Sequence, residues 1–279
     1  MRSFPNITRW LMQFLATGLI FAAHPVWADI MTLTSQNSVI KIDPTSQAGV
    51  YDWDVDGTDV MYQQWFWIRS GDDTHEHSVD TSYFNLTAES YSGGRGLLAY
   101  AGHGYTTTIR FSLLGGSPGS HAADLSEIIS LKNTGTAALT LDFFQYANIM
   151  FSTGHDTVQF LNPYSVQQTA GGIYLNETVV NTNGLVHHEA NVYPRVVNSL
   201  NDNSITTLSD SNYAAGDATW AFQWEKTIAP GSTFTITKDI NVVDPPPSIP
   251  EPASVLLLGS VLAAVGFTFS RRGAAFRSA

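Results

Sequence analysis

Proline occupies 245, 246, 247, 250 and 252 in the short stretch from Asp244 to Pro252. It supplies no backbone N–H and fixes φ, so this stretch is neither helix nor central strand. It reads as a semi-rigid polyproline stalk extending about 3 Å per residue. The stalk divides the chain, because a globular core built before it cannot continue through it. Beyond it, residues 253–269 carry no charge, and Arg271-Arg272 follow. An apolar run closed by a basic pair predicts a membrane helix over 253–270, with the basic tail 271–279 in the cytoplasm by the positive-inside rule. Everything on the far side of the stalk is then outside the cytoplasm.

The other end is consistent with export. Arg2 and Arg9 precede an apolar run from Trp10 to Ala23, which His24-Pro25 ends before Val26-Trp27-Ala28. A positive end, a short apolar stretch and small residues at the selective positions make a secretory signal peptide over 1–28. Signal peptidase is expected to cut between Ala28 and Asp29. The alternative, an uncleaved anchor helix, fits less well because the run falls short of the ~20 apolar residues that span a bilayer. Arg2 and Arg9 are not adjacent, so the twin-arginine route is not indicated.

The tail, with Pro250-Glu251-Pro252, the apolar stretch and Arg271-Arg272, resembles the PEP-CTERM sorting signal of Gram-negative bacteria. The resemblance implies processing by an exosortase, a membrane protease that cuts near Pro-Glu-Pro and passes its substrate on for surface display or release. It also implies an association with exopolysaccharide-producing organisms. Ile249 stands where Val is commoner, and the tail runs on from Gly273 to Ala279; neither alters the layout. The competing readings, a single-pass anchor that is never processed and a buried core helix, do not account for the stalk and the terminal arginines together.

Residues 29–243 form the expected ectodomain, long enough to bury about 70% of its unfolded surface without a staple. It has no cysteine, which excludes disulfides, Cys-ligated zinc, Fe–S clusters and thiol nucleophiles. Strand signals recur between turn residues. Tyr105 to Leu114 is β-branched and apolar and ends at Gly115-Gly116-Ser117-Pro118-Gly119. Glu127 to Lys132, Asn133-Thr134-Gly135 and Ala138 to Phe144 read as a hairpin. Thr219 to Glu225 alternates, with Trp220, Phe222 and Trp224 on one face, and Pro230-Gly231 turns the chain into a last strand, Thr233 to Val243. No stretch keeps a 3.6-residue period over three turns. The expected fold is an all-β antiparallel sandwich. Trp53-Asp54-Val55-Asp56-Gly57 and Tyr62 to Arg69 also resemble the body of certain PEP-CTERM proteins. Size and strand pattern resemble the supersandwich domains of galactose mutarotase-like proteins, an analogy of fold.

Of 13 basic residues, Arg2, Arg9, Arg271, Arg272 and Arg277 lie in the targeting segments, so residues 29–249 hold 8 basic and 23 acidic residues, a net −15. This opposes nucleic-acid binding. It favours solubility and divalent cations, and it disfavours direct docking on anionic polymers.

Four constellations could carry chemistry. Asp52, Asp54, Asp56 and Asp59, with Gly57, begin like a calcium loop, since alternating carboxylates supply hard oxygen ligands. The twelfth position, which should be Glu, is Gln63. A half-buried strand running into an Asp56-Gly57 hairpin turn accounts for the pattern better. Asp72-Asp73-Thr74-His75-Glu76-His77 could offer imidazole and carboxylate to zinc or another divalent metal, against the plainer reading of a solvated loop. His187-His188-Glu189, with His103, His121 and His155 elsewhere, could supply acid and base, although adjacent residues on a strand face opposite ways. Trp65 with Trp67, and Trp220 with Trp224, could stack on sugars if exposed, but period-two aromatics usually form core.

The sequence therefore predicts a non-enzymatic envelope or exopolysaccharide-matrix protein without nucleic-acid partners. It calls for no cofactor, the calcium set aside. The expected route crosses the inner membrane, with signal peptidase, exosortase and the membrane as partners, and ends at the cell surface or matrix in contact with polysaccharide. The alternative is a carbohydrate-active enzyme of supersandwich type using His188 and Glu189.

Overall fold

The computed structural model describes residues 29–150 and 156–243. The signal segment 1–28, His155, the stalk, the expected membrane helix with Pro250, Glu251 and Pro252, and the tail with Arg271 and Arg272 lie outside the described residues. No helix among the described residues is long and apolar enough to cross a membrane.

Two nine-stranded sheets pack face to face. The first runs Met31–Ser35, Ser38–Asp43, Gly49–Val55, Gln63–Ser70, Leu139–Asn148, Ala218–Ile228, Leu185–Val192. Thr58–Asp59 and His77–Ser78 pair beside its third and fourth strands. The second runs Tyr213–Gly216, Asp156–Asn162, Ser165–Ala170, Ile173–Val179, Thr233–Val243, Ala122–Asn133, Tyr105–Gly115, Arg95–Gly102, Asn85–Ser92. Pairing is antiparallel except for a short parallel contact between Gly49–Val55 and Gln63–Ser70. The single helix among the described residues, Arg195–Leu200, is under two turns long. The architecture is the antiparallel β-sandwich that the strand pattern predicts.

The core follows from period-two burial. Leu125, Ile129 and Leu131 pair with Ile240, Ile236 and Phe234 on the inner side of the second sheet, all buried. From the first sheet come Phe66, Phe143, Phe222, Trp220 and Trp224, with Phe66 stacked on Phe143 at 5.6 Å. Each aromatic side chain removed from water contributes roughly 1.5–3 kcal/mol before entropy is counted.

One expected hairpin is absent. Ala122–Asn133 belongs to the second sheet and Leu139–Asn148 to the first, so Asn133-Thr134-Gly135 is an arch between layers. The Asn133 side chain builds it, accepting from Gly135 N and donating to the carbonyls of Ala137 and Ile228, each at 2.8 Å. An Asx turn of this kind satisfies backbone groups without requiring the flanking strands to pair.

Candidate functional site

The four aspartates of the expected calcium set have separate tasks. Asp56 (φ 52°) and Gly57 (φ 83°) take successive left-handed conformations, the backbone of a two-residue hairpin turn. Asp52 pairs with Lys41 at 2.6 Å, and Asp54 accepts from Gly57 N at 2.9 Å. Asp59 accepts from Trp53 N and Met61 N, both at 3.1 Å. Asp56 ties this hairpin to a neighbouring loop, accepting from Gly119 N at 2.8 Å, His121 N at 2.9 Å and the Asn37 amide at 2.7 Å. Those donors hold its carboxyl below the usual range. The four carboxylates do not meet at one point, and no three His, Asp or Glu side chains among the described residues gather as metal ligands.

The histidines separate in the same way. Tyr83 lies flat between His77 and His103, with ring centroids 3.7 and 3.5 Å away, and the His75 ring is 4.5 Å from that of His77. His103 reaches this stack from the turn before Tyr105–Gly115, a meeting that sequence spacing does not reveal. The Tyr83 hydroxyl donates to Asp73 at 2.7 Å, and burial together with that bond pushes the phenol up to about 12. Burial pushes the His77 imidazole down.

On Leu185–Val192, His187 pairs with Asp210 at 2.9 Å. His188 is buried against Phe160 and bonds Asn212 at 2.9 Å. Glu189 accepts from Ser209 N and the Asn191 amide, both at 2.8 Å. His188 and Glu189 leave opposite sides of the strand, as alternation requires, and engage different residues of the 209–212 segment.

All four tryptophans considered as sugar platforms are fully buried. Trp220 and Trp224 lie between the sheets. Trp65 and Trp67 alternate with Phe66 and so leave the inner side. Trp65 Nε1 donates to Asp80 at 2.7 Å, and Trp67 Nε1 to Asn201 at 3.1 Å, with the Trp65 ring also edge-on to Tyr100 of the second sheet at 6.3 Å. On the same side Arg69 pairs with Asp142 and, at 3.3 Å, with Glu76, and Gln223 donates to Asp142 at 3.1 Å. The first sheet is therefore closed on both sides over its centre.

Among the described residues nothing covers the outer face of the second sheet, and its polar residues line up by register. One row is Arg95, Ser112, Ser126, Asp239, Thr178 and Ser165. Another is Leu114, Asp124, Asn241, Asn176, Gln167, Gln159 and Tyr213. Gln167 donates to Asn176 at 2.9 Å and Asn176 to Asn241 at 3.2 Å, an amide ladder across three strands. Between Arg95 and Ile128 lies a groove of about 400 Å³, lined also by Ser90, Leu97, Arg110 and Ser126. Burial first, and then neighbouring Asp239, raise the Asp124 carboxyl to about 6. Chemically, this face offers hydroxyls, amides and guanidinium groups at regular strand spacing. Its signal was in the sequence, in the polar alternates of Ala122–Asn133 and Thr233–Val243.

No curated protein matches the chain. A putative aldose 1-epimerase from Escherichia coli K12 is similar in structure at 10% identity and a TM-score of 0.49, over 77% of this chain and 98% of that one. A galactose mutarotase-like protein from Lactobacillus casei ATCC 334 is similar at 8% and 0.46, over 77% and 100%. One from Clostridium acetobutylicum is similar at 8% and 0.43, over 78% and 96%. Similarity at this level assigns no activity. Residues 248–272 match the family model for the PEP-CTERM protein-sorting motif, so an exosortase is the processing partner that this chain's own sequence implies.

Proposed function

We propose that this is a non-enzymatic surface or matrix protein of a Gram-negative bacterium, delivered by an exosortase and contacting exopolysaccharide through the open face of its second sheet. The observation that carries the reading is the sorting motif at residues 248–272, set directly after a domain whose last strand ends at Val243. In this reading the signal peptide brings the chain through the inner membrane, the C-terminal helix holds it there with Arg271 and Arg272 inside, and cleavage near Pro250-Glu251-Pro252 passes it on.

The open face supports the contact with polysaccharide. Hydroxyl and amide ladders can exchange hydrogen bonds with sugar hydroxyls, and Arg95 and Arg110 add directional donors. The net charge of −15 on residues 29–249 favours a neutral polymer over an anionic one. The non-enzymatic part is supported by the separate engagements of His188 and Glu189.

Replacing Pro250, Glu251 and Pro252 together with alanine tests the reading. The variant is expected to accumulate uncut in the inner membrane, followed by immunoblotting of cell fractions. Normal C-terminal trimming and surface delivery of that variant would overturn the proposal.

A further inference from the structure

Between the two sheets lies a polar cluster that the reading above does not use. Lys238 and Glu127 are directly paired across neighbouring strands, and Glu177 comes from the strand on the other side of Lys238. All three side chains have zero exposure. Lys238 Nζ is 2.5 Å from Glu127 Oε2 and 3.0 Å from Glu177 Oε1. The Phe66 ring lies 5.7 Å from the same nitrogen.

The two carboxylates are held differently. Glu177 Oε2 accepts from Trp220 Nε1 at 2.7 Å and Gln145 Nε2 at 3.2 Å, so with Lys238 this carboxylate is supplied with donors on both oxygens. Glu127 Oε2 accepts from Gln64 Nε2 at 3.1 Å, whereas its Oε1 is buried with no partner among the described residues. Two carboxylates against one ammonium also leave an excess negative charge in a low-dielectric interior, which is costly. A proton on Glu127 removes that excess. Burial raises the Glu127 carboxyl in the corresponding direction.

We propose that Lys238 and Glu127 condense into an intramolecular isopeptide bond, with Glu177 as the base. Lys238 passes a proton to Glu177 Oε1, and the neutral amine attacks Cδ of protonated Glu127. Charge develops on Oε2, where the Gln64 amide already donates. The Nζ–Cδ bond forms, the Cδ–Oε1 bond breaks, and Oε1 leaves as water. Of the four protons on the ammonium and the acid, one remains on the amide nitrogen, two leave in water and one stays on Glu177. No oxidant, reductant or cofactor enters. Contact between the reacting groups in a site closed to water supplies the proximity that such a condensation needs. The product also replaces a buried ion pair with a neutral amide.

The test is a peptide map of the full chain, purified and digested with trypsin under denaturing conditions. The expected result is one branched peptide joining the Glu127 segment to an uncleaved Lys238 segment, lighter than their sum by one water. Lys238→Arg is expected to give two linear peptides. Glu177→Gln is expected to lose the branch while circular dichroism keeps the β-sheet signature. Linear peptides of full mass from the wild-type chain, with cleavage after Lys238, would overturn the proposal. So would a branch at Glu177 or Gln64, or an undiminished branch in Glu177→Gln.

Discussion

Asp124 and Asp239 sit diagonally on the open face, one bonded across to the other's neighbourhood through Ser126, whose hydroxyl donates to Asp239 at 2.6 Å. With the Asp124 carboxyl raised to about 6, against about 3.9 in an unfolded chain, the folded state holds a proton that the unfolded state has released. Stability contributed by that proton is present in acid and is lost as pH rises through about 6. Asp124→Asn removes the titration. Thermal melts of the variant should exceed the wild type at pH 8, and the difference should shrink steadily towards pH 4. A gap that stays constant with pH would show that Asp124 carries no raised carboxyl. The same reasoning at Asp56 has the opposite sign, because its backbone donors stabilise the charged form and hold its carboxyl down.

Among the elements, the Asp56-Gly57 hairpin shows what alternating aspartates are for in this chain. They terminate a strand, satisfy backbone N–H groups and pin one loop to another. Asp56→Ala should therefore lower the Tm equally in calcium and in chelator, and calcium should leave the wild-type Tm unchanged. A calcium-dependent rise would return these residues to the status of ligands. Local chemistry made this turn readable, as it did the alternation of Trp220, Phe222 and Trp224. The Asn133 arch reads as a hairpin in the sequence because an Asx turn looks the same whether the chain folds back in one sheet or crosses to the other. Which sheet a strand joins is decided by distant partners such as Glu127 with Lys238 and Phe143 with Trp224, and sequence spacing carries no record of those. The buried cluster was partly legible. Lys238 occupies the core register of Phe234, Ile236, Ile240 and Val242, and Glu127 that of Leu125, Ile129 and Leu131. A charge in such a register requires a partner across the core, but period alone does not name it. The stack of His77, Tyr83 and His103 was illegible for a similar reason, since His103 comes from a turn distant in sequence from the short strand of His77 and the turn that carries Tyr83.

For the molecule as a whole, the two sheets divide the work. The first is closed by its own chain over its centre, and the second presents rows of polar side chains with exposed Leu114, Ile128 and Tyr213 among them. Three of the 8 basic residues in residues 29–249, Arg95, Arg110 and Lys132, are exposed or half-exposed on the half of the second sheet nearest the groove. Retention of the full chain on an insoluble neutral β-glucan should fall about tenfold when Arg95 and Arg110 are both changed to alanine, a loss of about 1.4 kcal/mol. Equal retention of variant and wild type would place the contact elsewhere.

The position of Thr233–Val243 has a mechanical consequence. The strand that leads into the sorting segment is not at an edge; it is paired along its length with Ala122–Asn133 on one side and over Lys238–Val243 with Ile173–Val179 on the other. A pull transmitted from residue 244 onward runs along this strand, loading both ladders in shear so that their hydrogen bonds must fail together. An edge strand pulled from its end would peel one bond at a time. The domain is thus gripped at its centre by the segment through which the membrane would hold it, and a covalent link at Lys238 would make that grip permanent in a chain that has no cysteine.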